Sequence, residues 1–367
     1  MPSGRITGIV FRATIVVVGA VLLWAGWSGF RVWRAWSNVE RVGFQTADAR
    51  IALQDHIPDV ESTDDEDASD TPLTDGEVAT EVGPGVTAGN TISKEGLRSY
   101  LVIGSDQRAE VGASRRADVI LLVMIPAEAD PIFVSIPRDL YLPNPCTSGF
   151  DRINATLNGC GDFANGPELL AVTVEDFTGV TVDHFAVFDF DGFKKIVDRV
   201  GGVEICVENP VRDLRVQPHP LQLDAGCTIA DGETALSWVR SRKTQELVNG
   251  SWRTISGVND LTRNQRQQDL LVQALRRLKG FSEVGEFAGL VEDLSDAFVI
   301  DEGLSLSKAV DIAWGLRSID PNGIVRIEIP VSNYITPAGA YVLIPEASFE
   351  EVLTAVYPDA DTWLAST

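Results

Sequence analysis

Charged residues of both signs collect where one short apolar run ends and the next begins. The runs 100–103 and 119–125 each have the length of a buried strand. The polar stretch between them includes two aspartates and three arginines: Asp106, Asp118, Arg108, Arg115 and Arg116. Charges at the ends of two predicted strands indicate a polar sheet edge, where α/β proteins commonly bind their ligands.

Further arginines also stand at the ends of predicted elements. Arg138 comes directly after a third predicted strand, 132–136, in the segment SIPRDLYLP. Two arginines end the predicted helix 231–239 and two begin the predicted helix 264–279; they are Arg240, Arg242, Arg263 and Arg266. Such positions are used disproportionately for binding and catalysis, so these arginines are candidate site residues.

Arginines together with a few carboxylates favour a phosphorylated ligand. The planar guanidinium matches two phosphate oxygens and keeps its charge at any physiological pH. Mg²⁺ is commonly held by one or two carboxylates together with phosphate oxygens and water. The set therefore predicts a pyrophosphate site with a cation held by aspartate, and a phosphoryl transfer that needs no serine or cysteine nucleophile. The alternative is that these residues form solvent-exposed ion pairs, which stabilise a protein little.

Strands and helices alternate along the chain after Leu97. Strands are predicted at 100–103, 119–125, 132–136, 184–190, 203–208, 323–329 and 340–344. Helices are predicted at 166–178, 191–200, 231–239, 264–279, 284–297, 305–318 and 347–357. Gly201-Gly202 marks the end of the second helix, because glycine readily adopts the left-handed conformation that terminates helices. The alternation predicts the α/β class: a single layered α/β/α domain over 94–367 with a central mixed sheet and no internal boundary.

An uncharged apolar run, 13–30, lies near the N-terminus with arginines on both sides. A helix needs about 20 apolar residues to cross the hydrocarbon core, and flanking arginines extend the usable length. The end of the run lacks the small-residue cleavage site of a secretory signal peptide. We therefore expect a short cytoplasmic N-terminus over 1–12 and a transmembrane signal anchor over 13–30, which places the rest of the chain outside the cytoplasmic membrane. A buried core helix is the alternative.

An acidic segment, 51–93, contains eleven carboxylates and no lysine or arginine. Its few large apolar side chains cannot bury enough surface to fold, so residues 31–93 are predicted to be a juxtamembrane segment and a disordered linker. The whole chain of 367 residues has a net charge of −23. Nucleic acid is therefore excluded as the main partner, since binding to the phosphate backbone needs a basic surface.

Four cysteines, Cys146, Cys160, Cys206 and Cys227, all lie after the apolar run. Their spacing does not match a zinc site of the C-x-x-C type. An even number of cysteines beyond a predicted anchor favours two disulfides in an oxidising, extracytoplasmic compartment. Three connectivities are open, of which we favour the two local pairs, Cys146–Cys160 and Cys206–Cys227. Four buried free thiols are the alternative.

Seven segments together resemble one protein family, the LytR–CpsA–Psr phosphotransferases of the bacterial cell envelope. The segments are LVIGSDQR, RRADVILLVMI, VSIPRDLYLP, RINATLNGCG, VDHFAVFDFDGFKKIVDRVGGVEICV, DGETALSWVRSRKT and NDLTRNQRQQ. They occur in family order between about Ser99 and Lys279, and the local cysteine pairs are similar to those of actinobacterial members. The resemblance implies a membrane-anchored enzyme that transfers a glycopolymer, with one phosphate, from a polyprenyl-pyrophosphate donor to a peptidoglycan hydroxyl, releasing polyprenyl phosphate.

The resemblance also implies roles for single residues. Asp106 and Asp118 would bind Mg²⁺ or Mn²⁺. Five arginines would grip the pyrophosphate: Arg116, Arg138, Arg240, Arg242 and Arg263. Arg266 and Gln267 match further substrate-site positions, and Asp260 aligns with an acidic residue that helps to orient an arginine or the acceptor. The polyprenyl chain is expected in an apolar pocket lined by the predicted helices 166–178 and 264–279.

The chain departs from the family pattern at two places. Ala117 replaces the serine of the usual Arg-Ser-Asp, so any contribution of that hydroxyl is absent. The segment 244–259 is longer than expected and leaves the structure of the loop beside the site open. Two other functions also stay open: a protein that binds the polyprenyl-linked glycan without turnover, and a pyrophosphatase that uses water as the acceptor.

Overall fold

The computed structural model describes residues 29–56, 97–105, 116–127, 130–255, 266, 268–270, 272–273, 276–277, 295, 297–309, 311–312, 320 and 323–356. These residues group into two compact units: unit 1 draws on Met1–Val42 and Val187–Pro321, and unit 2 on Gly43–Ala186 and Asn322–Thr367. The expected domain bounds of 94–367 stay a prediction. The chain passes between the units inside the strand His184–Phe188, so no linker or change in composition marks the boundary in the sequence.

The strands are numbered in chain order. The first are β1 (Glu40–Val42), β2 (Arg98–Ser105), β3 (Ala117–Ile125), β4 (Ile132–Ser135), β5 (Tyr141–Pro143), β6 (Phe150–Arg152) and β7 (His184–Phe188). The chain continues with β8 (Val203–Val207), β9 (Val211–Asp213), β10 (Leu221–Leu223), β11 (Gly226–Ala230), β12 (Gln245–Val248), β13 (Ser251–Thr254), β14 (Phe298–Asp301), β15 (Val325–Glu328), β16 (Val331–Ile335) and β17 (Tyr341–Pro345). The predicted strands correspond to β2, β3, β4, β7, β8, β15 and β17, with small shifts at their ends.

The helices are α1 (29–38), α2 (Thr46–His56), α3 (Gly166–Thr178), α4 (Phe190–Arg199), α5 (Gly232–Arg240), α6 (the described residues of 266–277), α7 (the described residues of 306–312) and α8 (Phe349–Val356). A 3-10 turn, Ile153–Asn158, precedes α3. The predicted helix 284–297 lies almost entirely outside the described residues, and its described positions 295 and 297 belong to turns. The other predicted helices are confirmed where the structure describes them.

The core of unit 2 is a mixed sheet with the strand order β7–β2–β3–β4–β15. β3 pairs antiparallel with both β2 and β4, whereas β15 runs parallel to β4. The central strands are apolar on both faces: Leu101, Leu122 and Val134 are buried on one face, and Leu121 and Phe133 on the other. Burial on both faces explains why these strands read as continuous apolar runs rather than as alternating patterns. The prediction of a mixed α/β fold with a central mixed sheet is confirmed.

Helix α3 has a complete set of start and stop signals. The Asn165 side chain accepts a hydrogen bond from the Glu168 N–H, and the Glu168 carboxylate accepts one from the Asn165 N–H. This capping box satisfies two backbone donors that a helix start otherwise leaves without partners. Gly179, with φ 70°, ends the helix in the left-handed conformation. Because both ends are specified locally, the predicted bounds match the structure.

Helix α4 ends where the double glycine predicts. Its side-chain cap is Asp189, which accepts from the Gly192 N–H at 2.7 Å. Gly201 and Gly202 follow the helix with φ 80° and 86°. A Cβ on Gly202 would also lie 2.7 Å from Ile229 and 2.8 Å from the Ala230 carbonyl, so only glycine fits at this position.

The N-terminal part of the predicted linker is folded, which corrects the linker bounds 31–93. Residues 40–42 form β1, which pairs in parallel with β14, and residues 46–56 form α2. Ala49 and Leu53 of α2 are buried in a cluster with Leu169 and Val172. Only these two apolar positions of α2 face the cluster. Two positions are too few to give a recognisable helical periodicity in the sequence, especially next to an acidic segment. Residues 57–93 lie outside the described residues, so a linker there stays a prediction.

The predicted membrane anchor is not covered by the described residues, apart from its last two positions, 29 and 30. Within the part of the chain that the structure describes, no helix has the length and apolar character needed to cross a membrane. The anchor at 13–30 therefore stays a prediction.

Both predicted disulfides are present. Cys146 pairs with Cys160, and Cys206 pairs with Cys227. The second pair joins residues that lie directly opposite each other on the antiparallel strands β8 and β11. All four cysteines are described and none is free, which rules out the alternative of four free thiols.

Candidate functional site

The strand register of unit 2 brings Asp118 and Arg138 together. In the antiparallel pairing of β3 with β4, Leu121 lies opposite Ser135, and the Ile136 N–H donates to the Ile120 carbonyl. Each step toward the start of β3 is a step beyond the end of β4, so the same register places position 118 opposite position 138. The end of β2 reaches this edge as well, because Ser105 pairs with Ala117. We call Arg116, Asp118 and Arg138 the sheet-edge group.

Arg138 is held between two carboxylates. Its Nη1 donates to Oδ1 of Asp118, and its Nε lies 3.3 Å from Oδ2 of Asp139. The Asp139 carboxylate also lies 3.5 Å from Nε of Arg152. The Arg138 side chain is only 15% exposed. A guanidinium that is largely buried and paired on two sides has a defined orientation, which is what bidentate recognition of an anion requires.

The other residues predicted at this edge are either exposed to solvent or outside the described residues. Arg116 precedes β3 and is exposed. Its neighbour Ala117, which stands where the family usually has serine, is fully buried in the core. Asp106, Arg108 and Arg115 lie outside the described residues, so their roles stay predictions.

A second basic group lies in unit 1, at the end of α5. The loop Arg240-Ser241-Arg242-Lys243, here called the basic loop, follows the helix directly. The Arg240 guanidinium stacks over the ring of Phe190 at 4.4 Å, and its Nη1 donates to the Gln217 carbonyl at 2.8 Å. Arg242 is exposed. The helix therefore places one fixed and one solvent-exposed guanidinium at its carboxyl end.

The buried carboxylate of Asp213 holds the basic loop. Oδ2 of Asp213 accepts hydrogen bonds from the Ser241 hydroxyl at 2.8 Å and from the Lys243 N–H at 3.0 Å. Burial raises the pKa of Asp213, but hydrogen bonds from Ser241 and from the N–H groups of Lys243, Arg215 and Arg242 outweigh it, so the pKa is lowered overall. Asp213 is thus a stable anion, and the hydrogen bonds that its carboxylate accepts fix the backbone conformation of the basic loop.

Arg266 of α6 packs against the same loop. Its guanidinium lies 3.9 Å from the ring of Trp238, and its Nη1 donates to the Trp238 carbonyl at 3.3 Å and to the Thr244 hydroxyl at 3.4 Å. Burial lowers the pKa of Arg266 to about 10, although the charge of Asp213 raises it. Arg266 therefore contacts residues on both sides of the basic loop, and its role in substrate binding stays a prediction.

The long segment 244–259 begins as a β-hairpin. β12 and β13 pair antiparallel around Asn249 and Gly250, whose φ angles are 51° and 75°. Two consecutive positive φ angles are the signature of the tight hairpin turn that Asn-Gly favours. β12 also pairs with β9, so the hairpin extends a four-stranded sheet that includes Asp213. The described part of this segment is thus a hairpin that continues directly from the basic loop.

The remaining predicted residues, Asp260, Arg263 and Gln267, lie outside the described residues and their roles stay predictions. The polyprenyl pocket also stays a prediction. Sequence reasoning missed several residues that position the two basic groups: Asp139, Arg152, Asp213, Ser241 and Thr244. Asp139 had a local signal, since it follows Arg138 directly in SIPRDLYLP. The others act through contacts between residues far apart in the chain, for which no sequence pattern exists.

Comparison with known proteins decides the family. The model of the LytR_cpsA_psr family matches residues 60–356 of the chain. The chain belongs to the LytR–CpsA–Psr family. This confirms the resemblance drawn from the seven sequence segments.

Two curated relatives and one solved structure illustrate the relationship. The chain is 28% identical over 277 residues to the probable cell wall biosynthesis protein LcpB of Corynebacterium glutamicum, covering 70% of this chain and 60% of that protein. It is 26% identical over 260 residues to the polyisoprenyl-teichoic acid–peptidoglycan teichoic acid transferase TagV of Bacillus subtilis, covering 68% and 61%. The chain thus spans less than two thirds of the length of each relative. The LytR-Csp2A-Psr enzyme from Actinomyces oris has the same fold, with a TM-score of 0.59 at 24% identity over 74% of this chain and 92% of that one.

Proposed function

We propose that this LytR–CpsA–Psr protein transfers a phosphate-linked glycopolymer from a polyprenyl-pyrophosphate donor to a hydroxyl group of peptidoglycan. The observation that carries the proposal is the sheet-edge group, in which Arg138 is oriented by two aspartates at the end of buried strands. The curated relative TagV is named as a transferase that acts on polyisoprenyl-linked teichoic acid and peptidoglycan, which supports the same class of reaction.

The residues of the sheet edge suit a pyrophosphate. Arg138 offers a planar fork of N–H donors in a site that is shielded from water by its low exposure of 15%. A preoriented cation in such surroundings stabilises developing negative charge without reorganising during the reaction. The exposed Arg116 and, in unit 1, the exposed Arg242 are proposed to bind phosphoryl oxygens in the same manner.

A divalent cation fits the donor chemistry of Asp118. Its side chain is 29% exposed, and carboxylate oxygens are the ligands that Mg²⁺ and Mn²⁺ prefer. We propose that Asp118 holds such an ion together with Asp106. When bound, the ion would neutralise charge on the phosphoryl oxygens.

The proposed reaction is an in-line displacement. The acceptor hydroxyl oxygen forms a bond to the phosphorus that carries the glycan. The bond from that phosphorus to the bridging oxygen breaks, and polyprenyl phosphate leaves with the electron pair. The hydroxyl proton passes to a carboxylate of the site or to water. Arg138 is proposed to bind the oxygens on which negative charge accumulates, so that the chain contributes mainly orientation and charge stabilisation.

The test uses the full-length chain in detergent with a polyprenyl-pyrophosphate-linked glycan, Mg²⁺ and purified peptidoglycan. Polyprenyl phosphate release and the glycan attached to peptidoglycan are both measured. We expect Arg138→Ala to lower the turnover rate by about 100-fold or more, as the loss of a charge-stabilising donor does. Arg199→Ala, which removes an exposed arginine at the end of α4, is the matched control and is expected to retain activity.

The outcomes separate the three candidate functions. Release together with attachment of glycan supports the transferase. Release without attachment, unchanged by peptidoglycan, would identify a pyrophosphatase. Donor binding without release in the presence of peptidoglycan would identify a binding protein.

A further inference from the structure

An exposed apolar patch lies on unit 2, formed by Phe150 of β6, Ile335 of β16 and Tyr341 of β17. Their side chains are 39%, 53% and 72% exposed, respectively. The rings of Phe150 and Tyr341 are in contact, with centroids 5.5 Å apart and planes inclined by 33°. Single exposed apolar residues are common, but a cluster with two adjoining aromatic rings marks an interaction surface. We call these three residues the aromatic patch.

Two β-hairpins hold the patch in place. Ile335 lies directly opposite Tyr341 in the antiparallel pairing of β16 with β17, so both side chains point to the same face. Phe150 is paired with Pro143 in the hairpin of β5 and β6. The two hairpins are tied together, because the Leu343 N–H donates to the Asp139 carbonyl at 2.9 Å. The aromatic patch is therefore a preformed surface rather than the tip of an unsupported loop.

A short chain of contacts links the patch to the sheet-edge group. Nη2 of Arg152 donates to the Tyr341 carbonyl at 2.8 Å, and Nε of Arg152 lies 3.5 Å from Asp139. Asp139 in turn lies 3.3 Å from the guanidinium of Arg138. Because Phe150 and Arg152 are two residues apart on one strand, their side chains share a face. The patch is thus connected to the sheet-edge group through Arg152 and Asp139.

We infer that the aromatic patch binds the glycan strand of the acceptor, an inference that rests on the proposed function. The C–H faces of pyranose rings are apolar and pack against aromatic rings, while hydroxyl groups at the ring edges require polar partners. The patch supplies both, since Arg152 lies on the same face of β6 as Phe150. The patch itself carries no charge, which suits an uncharged sugar chain. An anionic lipid surface is disfavoured because the chain has a net charge of −23.

The test measures binding to insoluble peptidoglycan from which attached polymers have been removed. The full-length chain in detergent is sedimented with increasing amounts of peptidoglycan, and the bound fraction gives an apparent affinity. We expect Tyr341→Ala to weaken binding about fivefold, the value of one lost aromatic contact, and Tyr341→Phe to bind as the wild type does. Tyr341 is highly exposed and its contact with Arg152 uses the backbone carbonyl, so neither substitution threatens folding.

Controls separate this inference from its alternatives. Ile51→Ala removes an equally exposed apolar residue on α2 and is expected to leave binding unchanged. Equal affinity for the wild type and Tyr341→Ala, or no binding by the wild type, would overturn the inference. A loss by Tyr341→Ala of binding to vesicles of anionic phospholipid, with peptidoglycan binding intact, would instead assign the patch to the membrane. Donor turnover is scored separately, so a failure of the proposed function is visible as absent polyprenyl phosphate release whatever the sedimentation shows.

Discussion

Replacing Asp213 with asparagine removes the charge that holds the basic loop while keeping the volume of the side chain. Oδ2 of Asp213 accepts from the Ser241 hydroxyl at 2.8 Å and the Lys243 N–H at 3.0 Å, and Oδ1 accepts from the Arg215 N–H at 3.1 Å. Asparagine has a single acceptor oxygen, so an NH₂ group must face one of these two sides. At least one of these donors then loses its partner.

The magnitude follows from these hydrogen bonds. A hydrogen bond to a charged group contributes about 1.5–3 kcal/mol, and a buried donor without a partner costs about 1–3 kcal/mol. Since one oxygen is retained, we expect Asp213→Asn to lower the free energy of unfolding by about 2–3 kcal/mol at neutral pH. We also expect kcat/KM for the donor to fall by about tenfold or more, because Arg242 loses the fixed backbone that presents it.

The effect of Asp213→Asn has a defined pH dependence. The pKa of Asp213 is lowered from its usual 3.8 in the folded protein: burial raises it, and the hydrogen bonds from Ser241 and the loop N–H groups outweigh the burial. Stability from a carboxylate with a lowered pKa is fully present above the unfolded-state pKa and is lost as pH falls through the folded-state pKa. The difference between wild type and variant should therefore be constant at neutral pH and should narrow below about pH 4.

Urea unfolding of the full-length chain, followed by tryptophan fluorescence over a series of pH values, measures this difference directly. Asp224→Asn, at an exposed position of unit 1, is the matched control. Equal free energies of unfolding for the two variants at neutral pH would refute the argument that Asp213 holds the loop. A destabilisation that persisted undiminished below pH 4 would show that the charge of Asp213 is not its source.

Three further predictions test other parts of the structure. Arg138→Lys keeps the charge but loses the planar fork, so we expect polyprenyl phosphate release to slow by about tenfold or more; wild-type turnover would contradict bidentate binding. Leu53→Ala on α2 should lower the free energy of unfolding by about 2–5 kcal/mol, measured in urea, because Leu53 is buried; an effect no larger than that of Ile51→Ala would place α2 outside the folded core. Replacing Cys146 and Cys160 together by serine should lower the free energy of unfolding by about 3 kcal/mol, the loop-closure value for a separation of 14 residues. Adding reductant to this variant should lower it further only through the other disulfide, Cys206–Cys227.

The sequence predicts the sheet-edge group because its residues belong to strand ends. β2, β3 and β4 are apolar runs of sufficient length, and the charged residues at the end of β2, the start of β3 and the end of β4 meet at one edge once the strands pair antiparallel. The pairing of Asp118 with Arg138 then follows from the register alone. What the sequence does not indicate is that Asp139 and Arg152 extend this pair, since the Arg152 contact depends on how the hairpin of β5 and β6 is placed.

The basic loop shows the opposite case. Arg240 and Arg242 are recognisable from the segment ALSWVRSRKT, but the carboxylate that fixes their backbone lies in a three-residue strand, β9, with too short a pattern to be predicted. Asp213 and Ser241 are 28 residues apart in sequence, so their hydrogen bond exists only after β9, β12 and α5 have packed. Helix α2 is missed for a related reason: its stability comes from packing on α3 and from the ion pair of Arg50 with Glu175, not from its own composition.

The two basic groups share one physical principle. In unit 2 the guanidinium of Arg138 is oriented by Asp118 and Asp139, and in unit 1 the loop that carries Arg242 is fixed by Asp213. Closely spaced arginines repel one another, and removing them from water is costly, so nearby carboxylates are needed to keep the unliganded state stable. The same carboxylates fix the geometry in advance, which lowers the reorganisation needed when phosphoryl oxygens arrive. Removing an aspartate from either group should therefore impair both folding stability and turnover, whereas removing an arginine should impair turnover more than stability.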